Sequence, residues 1–234
     1  MLAVHADPVS GANWSVEHHV GSAADLHQLV VPAARSLLVL EVTRPAMVLG
    51  STQSDDVVDH RAASAAGVDV VRRRSGGGAV LLVPGEHVWL DVVLPADDPL
   101  WVHDVETSSW WLGEAWAAAI AGVAPAGSPL DVHRHGVTDR ELGRRVCFAA
   151  TGPGEVSVGG RKLVGLSQRR TREVARFQCV VHRRFDRRST VALLADDGRS
   201  VELDRALRVG VADLGSLGVE PGWSVVEDLL ARLP

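Results

Sequence analysis

The order of strand-like and helical segments constrains the fold of this chain more than any other feature. Short apolar runs typical of strands predominate in residues 36–94, and an amphipathic helix is predicted over residues 104–123. A second strand-rich region covers residues 145–184, and helical patterns follow residue 189. The strands are grouped and do not alternate with helices, which excludes a regular βαβ repeat. The pattern predicts an α+β fold of mixed, mainly antiparallel sheets with packed helices.

Turn and cap residues set finer boundaries within this pattern. Residues 36–42 and 46–52 are predicted to pair as two strands joined by a tight Thr-Arg-Pro connection. Ser54 is predicted to cap a helix that runs to residue 67. Residues 124–143 contain several glycines and prolines and are predicted to form a long loop.

Length and composition fit one globular domain with a small appendage. The chain has 234 residues, of which 46% are hydrophobic and 23% are charged, a balance suited to a sizeable core. We predict a main domain over residues 1–189 and a short helical extension over residues 190–234, packed on that domain and ending in a helix at 223–233. No segment has the pattern of a secretory signal or a membrane span, so we expect a cytoplasmic protein without a membrane partner.

Charge is distributed unevenly along the chain. Residues 134–188 carry fourteen Lys and Arg against five Asp and Glu, although the whole chain has a net charge of -5. Such a segment is either a solvated face or a surface that attracts phosphate, nucleic acid or an acidic protein. Nucleic acid is not expected as a partner, because few aromatic residues are interleaved with the cations and no reader motif is present.

Lys162 is the only lysine among 24 basic residues. It follows Gly159 and Gly160, which predict a two-residue hairpin turn, and it opens a strand that continues through Gly165 and Ser167. Lysine offers a compact ammonium on a flexible stem, whereas arginine offers a planar fork. A lysine in a pocket can bind a carboxylate or phosphate and stabilise the negative charge that develops when a carbonyl is attacked. An ordinary hairpin with one chance lysine is the alternative.

Three consecutive glycines beside arginines form a second chemical feature, in the run VRRRSGGGAV at residues 71–80. Glycines allow several backbone N–H groups to approach one ligand, and a neighbouring arginine can neutralise its charge. The combination suits an anion. The GxxxxGK[ST] spacing of a nucleotide P-loop is absent, and a plain glycine hairpin with exposed arginines is the alternative.

Two cysteines, Cys147 and Cys179, are present, and no CxxC pattern connects them. Buried structural thiols are the default for two cysteines without a secretory signal. A disulfide, metal ligation or a reactive thiol are the alternatives. We predict no metal site.

Together the two glycine-containing segments resemble the lipoate-protein ligase family, which belongs with the biotin ligases and octanoyl transferases. The family pattern Arg-Arg-x-Ser-Gly-Gly-Gly-Ala matches residues 72–79. A second pattern, Gly, x, Lys, two hydrophobic residues, Gly, x, Ser or Ala, Gln and Arg, matches residues 160–169. The resemblance extends over about residues 20–185. It implies a biotin/lipoate ligase-like catalytic domain, over residues 1–189, with an apolar tunnel for an acyl chain.

The resemblance also implies roles for individual residues. Lys162 would be the essential catalytic cation, in contact with the activated carbonyl. Gly165 and Ser167 would shape one wall of the substrate pocket. The residues that would bind the acyl adenylate from the other side all belong to the first segment: Arg73, Ser75, Gly76, Gly77, Gly78 and Ala79.

The reaction implied by the family is attachment of a lipoyl or related medium-chain acyl group to a lysine of a carrier domain. ATP and lipoate would form lipoyl-AMP as the acyl adenylate. Mg²⁺ could accompany the nucleotide, and no tightly bound cofactor is expected. Carrier domains of this kind tend to be acidic, which gives the basic segment 134–188 a role in docking.

The chain departs from the family pattern in ways that favour two alternatives. Glu86 stands where an amide is usual, Gln178 and Cys179 replace a His-Gly pair, and residues 190–234 are too few for the usual accessory domain. A cysteine-dependent octanoyl or lipoyl transferase is the first alternative. Its candidate nucleophile is Cys179, on the strand expected to flank the pocket. The second alternative is a non-catalytic acyl-ligand binder on the same fold.

Overall fold

The computed structural model describes residues 3–5, 14–219 and 224–234, which form two sheets and seven α-helices. The strands are β1 (Ala3–His5), β2 (Ser15–Gly21), β3 (Ser36–Val42), β4 (Ala46–Leu49), β5 (Asp69–Arg72), β6 (Val80–Leu82), β7 (His87–Pro95), β8 (Leu130–Val132), β9 (Val156–Val158), β10 (Arg161–Arg170) and β11 (Val174–His182). The helices are α1 (Ala23–Gln28), α2 (His60–Ala65), α3 (Trp110–Val123), α4 (Arg140–Arg145), α5 (Arg187–Ala192), α6 (Ser200–Gly210) and α7 (Ser224–Leu230).

The larger sheet has the strand order β1-β2-β3-β7-β11-β10-β9-β8. Its described neighbours are antiparallel except β2 and β3, which are parallel. The smaller sheet has the order β5-β4-β6, with β4 parallel to β5 and antiparallel to β6. This topology confirms the predicted mixed, mainly antiparallel fold. The predicted hairpin between β9 and β10 is also confirmed, because Gly159 and Gly160 both have positive φ, at 56° and 75°.

Apolar side chains form three clusters that stack the elements into four layers. Helices α3 and α7 cover one face of the larger sheet through residues such as Trp116 and Leu229. The two sheets face each other across Leu38 and Val48. Helices α4 and α6 and the end of α5 cover the outer face of the smaller sheet, with Leu203 in that cluster. A space enclosed between the two sheets is therefore shielded from water on both sides.

The prediction that residues 36–42 and 46–52 pair with each other is wrong. Strand β3 pairs with β2 and β7 in the larger sheet, whereas β4 pairs with β5 and β6 in the smaller one. The short connection at residues 43–45 crosses from one sheet to the other. Because nearly every residue of both strands is buried, the apolar pattern could not show which partner each strand takes.

The helix predicted from Ser54 to residue 67 is interrupted. A 3₁₀ turn at Asp55–Val57 precedes α2, whose N-cap is Asp59. The backbone N–H of Asp59 donates to the carbonyl of Leu193 at 2.9 Å. A long-range backbone contact therefore replaces the hydrogen bond that would have continued one helix.

Residues 124–149 hold more structure than the predicted loop and following strand. Strand β8 and helix α4 lie within this stretch, and a 3₁₀ turn at Cys147–Ala149 stands where a strand was predicted. The side chain of Asp139 accepts hydrogen bonds from the backbone N–H groups of Glu141 (3.0 Å) and Leu142 (2.9 Å), which caps α4. Helix α3 begins at Trp110, later than the predicted residue 104.

The described part of residues 190–234 contacts the rest of the chain on two sides. Helix α7 packs on α3, and the backbone N–H of Ala212 donates to the carbonyl of Lys162 at 2.8 Å. The first residue of the predicted last helix, Trp223, lies outside the described residues. A division of the chain at residue 189 stays a prediction.

A buried ion pair between Arg176 and Asp91 ties α1 to the larger sheet. The guanidinium lies 2.5 Å from the Asp91 carboxylate and also donates to the carbonyls of Leu26 (3.0 Å) and Leu29 (3.2 Å). Both side chains are buried, and Asp91 is wholly inaccessible to solvent. Removing one partner would leave the other charge buried without compensation.

We therefore expect Asp91→Ala to lower the free energy of unfolding by about 3–5 kcal/mol. Asp69→Ala is the matched control, because Asp69 pairs with Arg44 at 3.0 Å on the surface, where loss of a pair costs less than about 1 kcal/mol. Urea titrations of both variants measure the difference. Equal decreases in the free energy of unfolding in the two variants would contradict a structural role for the buried pair.

Candidate active site

The glycine-containing segment after β5 is held in place by Arg73. This side chain is 5% exposed, and its guanidinium donates to the Ser75 hydroxyl (3.1 Å) and to the carbonyls of Val48 (3.2 Å), Gly76 (2.6 Å) and Gly78 (2.9 Å). These bonds direct the guanidinium into the protein. Arg73 therefore organises the loop from within, and its predicted contact with substrate stays a prediction.

The backbone of the glycine loop packs so closely against two other segments that only glycine fits at positions 50 and 78. A Cβ on Gly50 would lie 1.9 Å from the carbonyl oxygen of Gly77, and a Cβ on Gly78 would lie 2.4 Å from the carbonyl oxygen of Gly143 and 2.8 Å from the backbone nitrogen of Cys147. The Cys147 N–H also donates to the carbonyl of Ala79 at 3.0 Å. The loop and the segment that carries Cys147 thus form one packed unit.

Lys162 lies on β10 and is 2% exposed. Its ammonium donates to the carbonyls of Cys147 (2.7 Å) and Ala150 (2.8 Å), and it pairs with the Glu155 carboxylate at 2.6 Å. Burial alone would lower the pKa of Lys162, but Cys147 and Glu155 together outweigh burial and raise that pKa above its ordinary value. The side chain therefore stays a cation at neutral pH.

Glu155 is the buried counter-ion of this site. It is 4% exposed, and its carboxylate also accepts hydrogen bonds from the backbone N–H groups of Leu166 (2.8 Å) and Gly152 (2.7 Å). The sequence pattern alone predicts no role for Glu155. The available signal was an acidic residue among the few in the basic segment, next to glycine and immediately before an apolar strand.

Cys147 brings a thiol to the same site. Its Sγ lies 3.7 Å from the Lys162 ammonium, and the residue is partly exposed. The Lys162 ammonium also lies over the ring of the adjacent Phe148, 5.1 Å from the ring centroid. Gly165 makes room for this ring, because a Cβ there would lie 3.0 Å from two of its carbons. Gly165 also lines a second cavity, described below, and its role in the substrate pocket stays a prediction.

A cavity of about 350 Å³ opens in front of these groups. The sequence-predicted residues that line it are Gly76, Gly77, Gly78, Lys162 and Ser167, and they are joined there by Cys147, Glu155 and Arg140. Arg140 is exposed, and its side chain has no ion pair among the residues that the structure describes. The cavity therefore combines a thiol, a buried cation, backbone of the glycine loop and one available guanidinium.

A second, narrow cavity of about 40 Å³ adjoins the first and shares Cys147, Leu166 and Ser167 with it. It lies between the two sheets. Gly165, Val180 and Trp89 are directly paired across β10, β11 and β7 and form its floor. The smaller sheet contributes the apolar residues Val48, Val80 and Leu82 from the opposite side.

A row of polar side chains runs beside this apolar floor. Ser167, Gln178 and Asp91 are paired across the same three strands, two residues further along. The Ser75 hydroxyl lies 3.0 Å from the Ser167 hydroxyl and donates to the Gln178 carbonyl oxygen at 2.7 Å. Ser75 is 2% exposed, so it links the glycine loop to the sheet and does not reach the larger cavity.

The remaining predicted residues lie away from the larger cavity. Cys179 is wholly buried among apolar residues that include Trp116 and lines neither cavity. Burial raises the pKa of the Cys179 thiol well above its ordinary value. Ala79 is buried in the cluster beneath the smaller sheet. The sequence favours Cys179 because Cys147 lies upstream of the Gly159–Gly160 hairpin, but the 3₁₀ turn at Cys147–Ala149 brings the Cys147 thiol to Lys162.

No group of three or more His, Cys, Asp and Glu side chains suited to a metal ion occurs within residues 3–5, 14–219 and 224–234. Among the helices in those same ranges, none combines the length and apolar character needed to cross a membrane.

The chain matches the family model of the lipoyl protein ligase A/B catalytic domain over residues 12–219. Over 132 residues it is 34% identical to the octanoyltransferase LipM of Moorella thermoacetica. That match covers 54% of this chain and 45% of the relative, so it spans less than half of the relative's length.

Solved structures of similar fold include two lipoate-protein ligases. One is the bipartite lipoate protein ligase of Thermoplasma acidophilum, studied with its E2 lipoyl domain, at a TM-score of 0.66 and 17% identity over 89% of this chain and 73% of that one. The other is lipoate-protein ligase A bound with ATP, at a TM-score of 0.66 and 17% identity over 85% of this chain and 71% of that one. These similarities confirm the predicted catalytic-domain fold.

The packing of the glycine loop gives a matched pair of substitutions. Gly78→Ala forces a Cβ against the backbone at Gly143 and Cys147, whereas a Cβ on Gly76 meets nothing within 4 Å. We expect Gly78→Ala to destabilise the protein by about 1–3 kcal/mol through overpacking and to increase the reactivity of Cys147 toward a thiol reagent. Gly76→Ala should change neither. Thermal unfolding and thiol-modification rates test this, and similar behaviour of the two variants would contradict the packing.

Proposed function

The chain belongs to the lipoyl protein ligase A/B catalytic domain family, and from that premise we propose that it is an acyl transferase with Cys147 as its nucleophile. The observation that carries this proposal is the 3.7 Å approach of the Cys147 thiol to the buried Lys162 ammonium. A nearby cation stabilises a thiolate, which is the nucleophilic form of cysteine. Cys179 is wholly buried in an apolar cluster and has no such cation beside it among the described residues, so Cys147 replaces it as the proposed nucleophile.

The proposed reaction has two halves that both pass through Cys147. In the first, the thiolate attacks the carbonyl carbon of an acyl thioester, the bond to the donor sulfur breaks, and the departing sulfur takes up the proton that Cys147 lost. In the second, a lysine amine of the acceptor attacks the acyl-cysteine carbonyl, an amide forms, and the proton of the amine returns to the Cys147 sulfur.

Lys162 stabilises the negative charge on sulfur and on the carbonyl oxygen in both halves. Its three donors are already matched by the carbonyls of Cys147 and Ala150 and by Glu155. We therefore propose that Lys162 acts through its charge and that it donates no proton to the reacting groups. Glu155 and Phe148 are positioning residues, because Glu155 pairs with the ammonium and the Phe148 ring lies beneath it.

The proposed acyl group is medium-chain, with octanoyl as the reference because the relative LipM is an octanoyltransferase. The narrow cavity between the sheets would bind the chain, and the larger cavity would admit the donor and acceptor groups. We propose an acidic carrier domain as acceptor, since the larger cavity opens beside the exposed Arg140 within the basic segment 134–188. Opposite charge would steer that encounter.

A lipoate-protein ligase that uses ATP and lipoate through lipoyl-AMP is the second candidate. Arg140 and the backbone at residues 76–78 line the cavity that contains Lys162, and this combination favours a phosphate group. The first candidate is preferred because Arg73, the cation expected to bind the adenylate, already donates to four groups of the protein. A thioester donor is already activated and needs no ATP.

The transferase proposal predicts that octanoyl-pantetheine, without ATP, acylates the protein once. Intact-protein mass spectrometry should show the adduct, and peptide mapping should locate it at Cys147. Cys147→Ala should abolish the adduct, whereas Cys179→Ala is the matched control and should retain it. Melting temperatures of both variants confirm that they are folded.

The same samples distinguish the alternatives when an acceptor carrier domain is added. Transfer to the carrier from the isolated Cys147 adduct supports the transferase. Transfer from octanoate or lipoate that requires ATP and persists in Cys147→Ala would establish the ligase and exclude the transferase. Acyl binding with no transfer under either condition would establish the non-catalytic binder.

A further inference from the structure

His27 stands at the end of the narrow cavity that is remote from Cys147. The cavity floor runs from Gly165 on β10 through Val180 on β11 to Trp89 on β7. The two ends of this floor lie two strand spacings apart, which is about 10 Å. The His27 ring stacks on Trp89 with the ring centroids 4.5 Å apart and also lines the cavity. An acyl chain attached at Cys147 and extended along this floor would meet His27 with its distal carbons.

The hydrogen bonds around Gln178 fix the tautomer of His27. The Gln178 carbonyl oxygen accepts from the Ser75 hydroxyl at 2.7 Å, and its amide nitrogen lies 3.4 Å from the Asp91 carboxylate. The amide nitrogen is therefore the donor in its 3.3 Å contact with His27 Nδ1. Nδ1 accepts, so the proton of the neutral ring resides on Nε2.

The Nε2–H of His27 is a buried donor with no hydrogen-bond partner among the residues that the structure describes. The side chain is 7% exposed. Burial, with contributions from Arg73 and Arg176, lowers the pKa of His27 to about 3, so the ring is neutral at physiological pH. An unsatisfied buried donor is costly. The described cavity wall near it offers no free acceptor: Val48, Leu82 and Trp89 are apolar or lack one, Arg73 carries donors only, and the Gln178 carbonyl oxygen already accepts from Ser75. A bound ligand can supply the missing acceptor.

We infer that His27 is a specificity-determining residue that selects acyl chains carrying an oxygen acceptor, a hydroxyl or a carbonyl, at the end remote from the thioester. The inference rests on the proposed function for the placement of the thioester at Cys147. The distal oxygen accepts from His27 Nε2, while the methylene groups between contact the apolar floor and roof. A saturated chain of equal length leaves the Nε2–H without a partner.

The test compares 8-hydroxyoctanoyl-pantetheine with nonanoyl-pantetheine, which has the same number of chain atoms and a terminal methyl group in place of the hydroxyl. The measured quantity is the ratio of the two second-order rates of Cys147 acylation. We expect this ratio to fall by at least about fivefold in His27→Phe, because the variant removes the donor. His27→Asn keeps an N–H donor in a smaller side chain and should retain part of the preference.

His87→Phe is the matched control. His87 is also buried, at 8% exposure, and its Nε2 has no hydrogen-bond partner within the described part of the chain, but His87 does not line the narrow cavity. The ratio of the two acylation rates in His87→Phe should equal that of the original protein. Melting temperatures establish that each variant is folded. An unchanged ratio in His27→Phe, or an equal fall in His87→Phe, would overturn the inference.

A binding measurement separates this inference from the proposed function. Isothermal titration of Cys147→Ala with 8-hydroxyoctanoate and nonanoate requires no chemistry at the thiol. A preference for the hydroxy acid that His27→Phe removes supports the inference even if no thioester acylates the protein, an outcome that would overturn only the transferase. Absence of binding by both acids would overturn the inference.

Discussion

The buried ion pair between Lys162 and Glu155 is the interaction on which the site depends. The ammonium has three protons and three close oxygen acceptors, the Glu155 carboxylate and the carbonyls of Cys147 and Ala150. A guanidinium would bring five donors in a rigid plane to a space that offers these three. This matching explains why the one lysine of an arginine-rich chain stands here. It also fixes the turn that carries Cys147, because two of the three acceptors belong to the backbone of that segment.

The two family-like segments could be recognised from sequence because each is a local pattern with a physical reason. Gly159 and Gly160 supply the positive φ of the turn before Lys162, and Gly78 permits a backbone approach that any Cβ would block. The grouped strands likewise predicted the mixed, mainly antiparallel fold. What could not be predicted was pairing at a distance, as when β3 and β4 entered different sheets despite a connection of three residues.

The same limitation explains why the sequence alone does not bring Cys147 to Lys162. Apolar residues on both sides made residues 145–149 resemble a strand, but backbone contacts with Ala79 and bonds from Lys162 hold them in a 3₁₀ turn. These partners lie far away in sequence. Glu155 was overlooked for a related reason, since a carboxylate beside a strand has no visible partner until the fold brings Lys162 to it. Local patterns identified the lysine, and tertiary contacts decided which side chains surround it.

Arg73 connects the glycine loop to the larger sheet through a chain of hydrogen bonds. Its bonds to Gly76 and Gly78 turn the guanidinium inward, and its bond to Ser75 continues through Gln178 to Asp91. The glycine loop is thus anchored to the sheet that forms the cavity floor. The narrow cavity between the sheets and the larger, more open cavity outside them meet at Cys147. In the proposed transferase, an acyl chain would remain in the narrow cavity while the donor and then the acceptor approach Cys147 through the larger one.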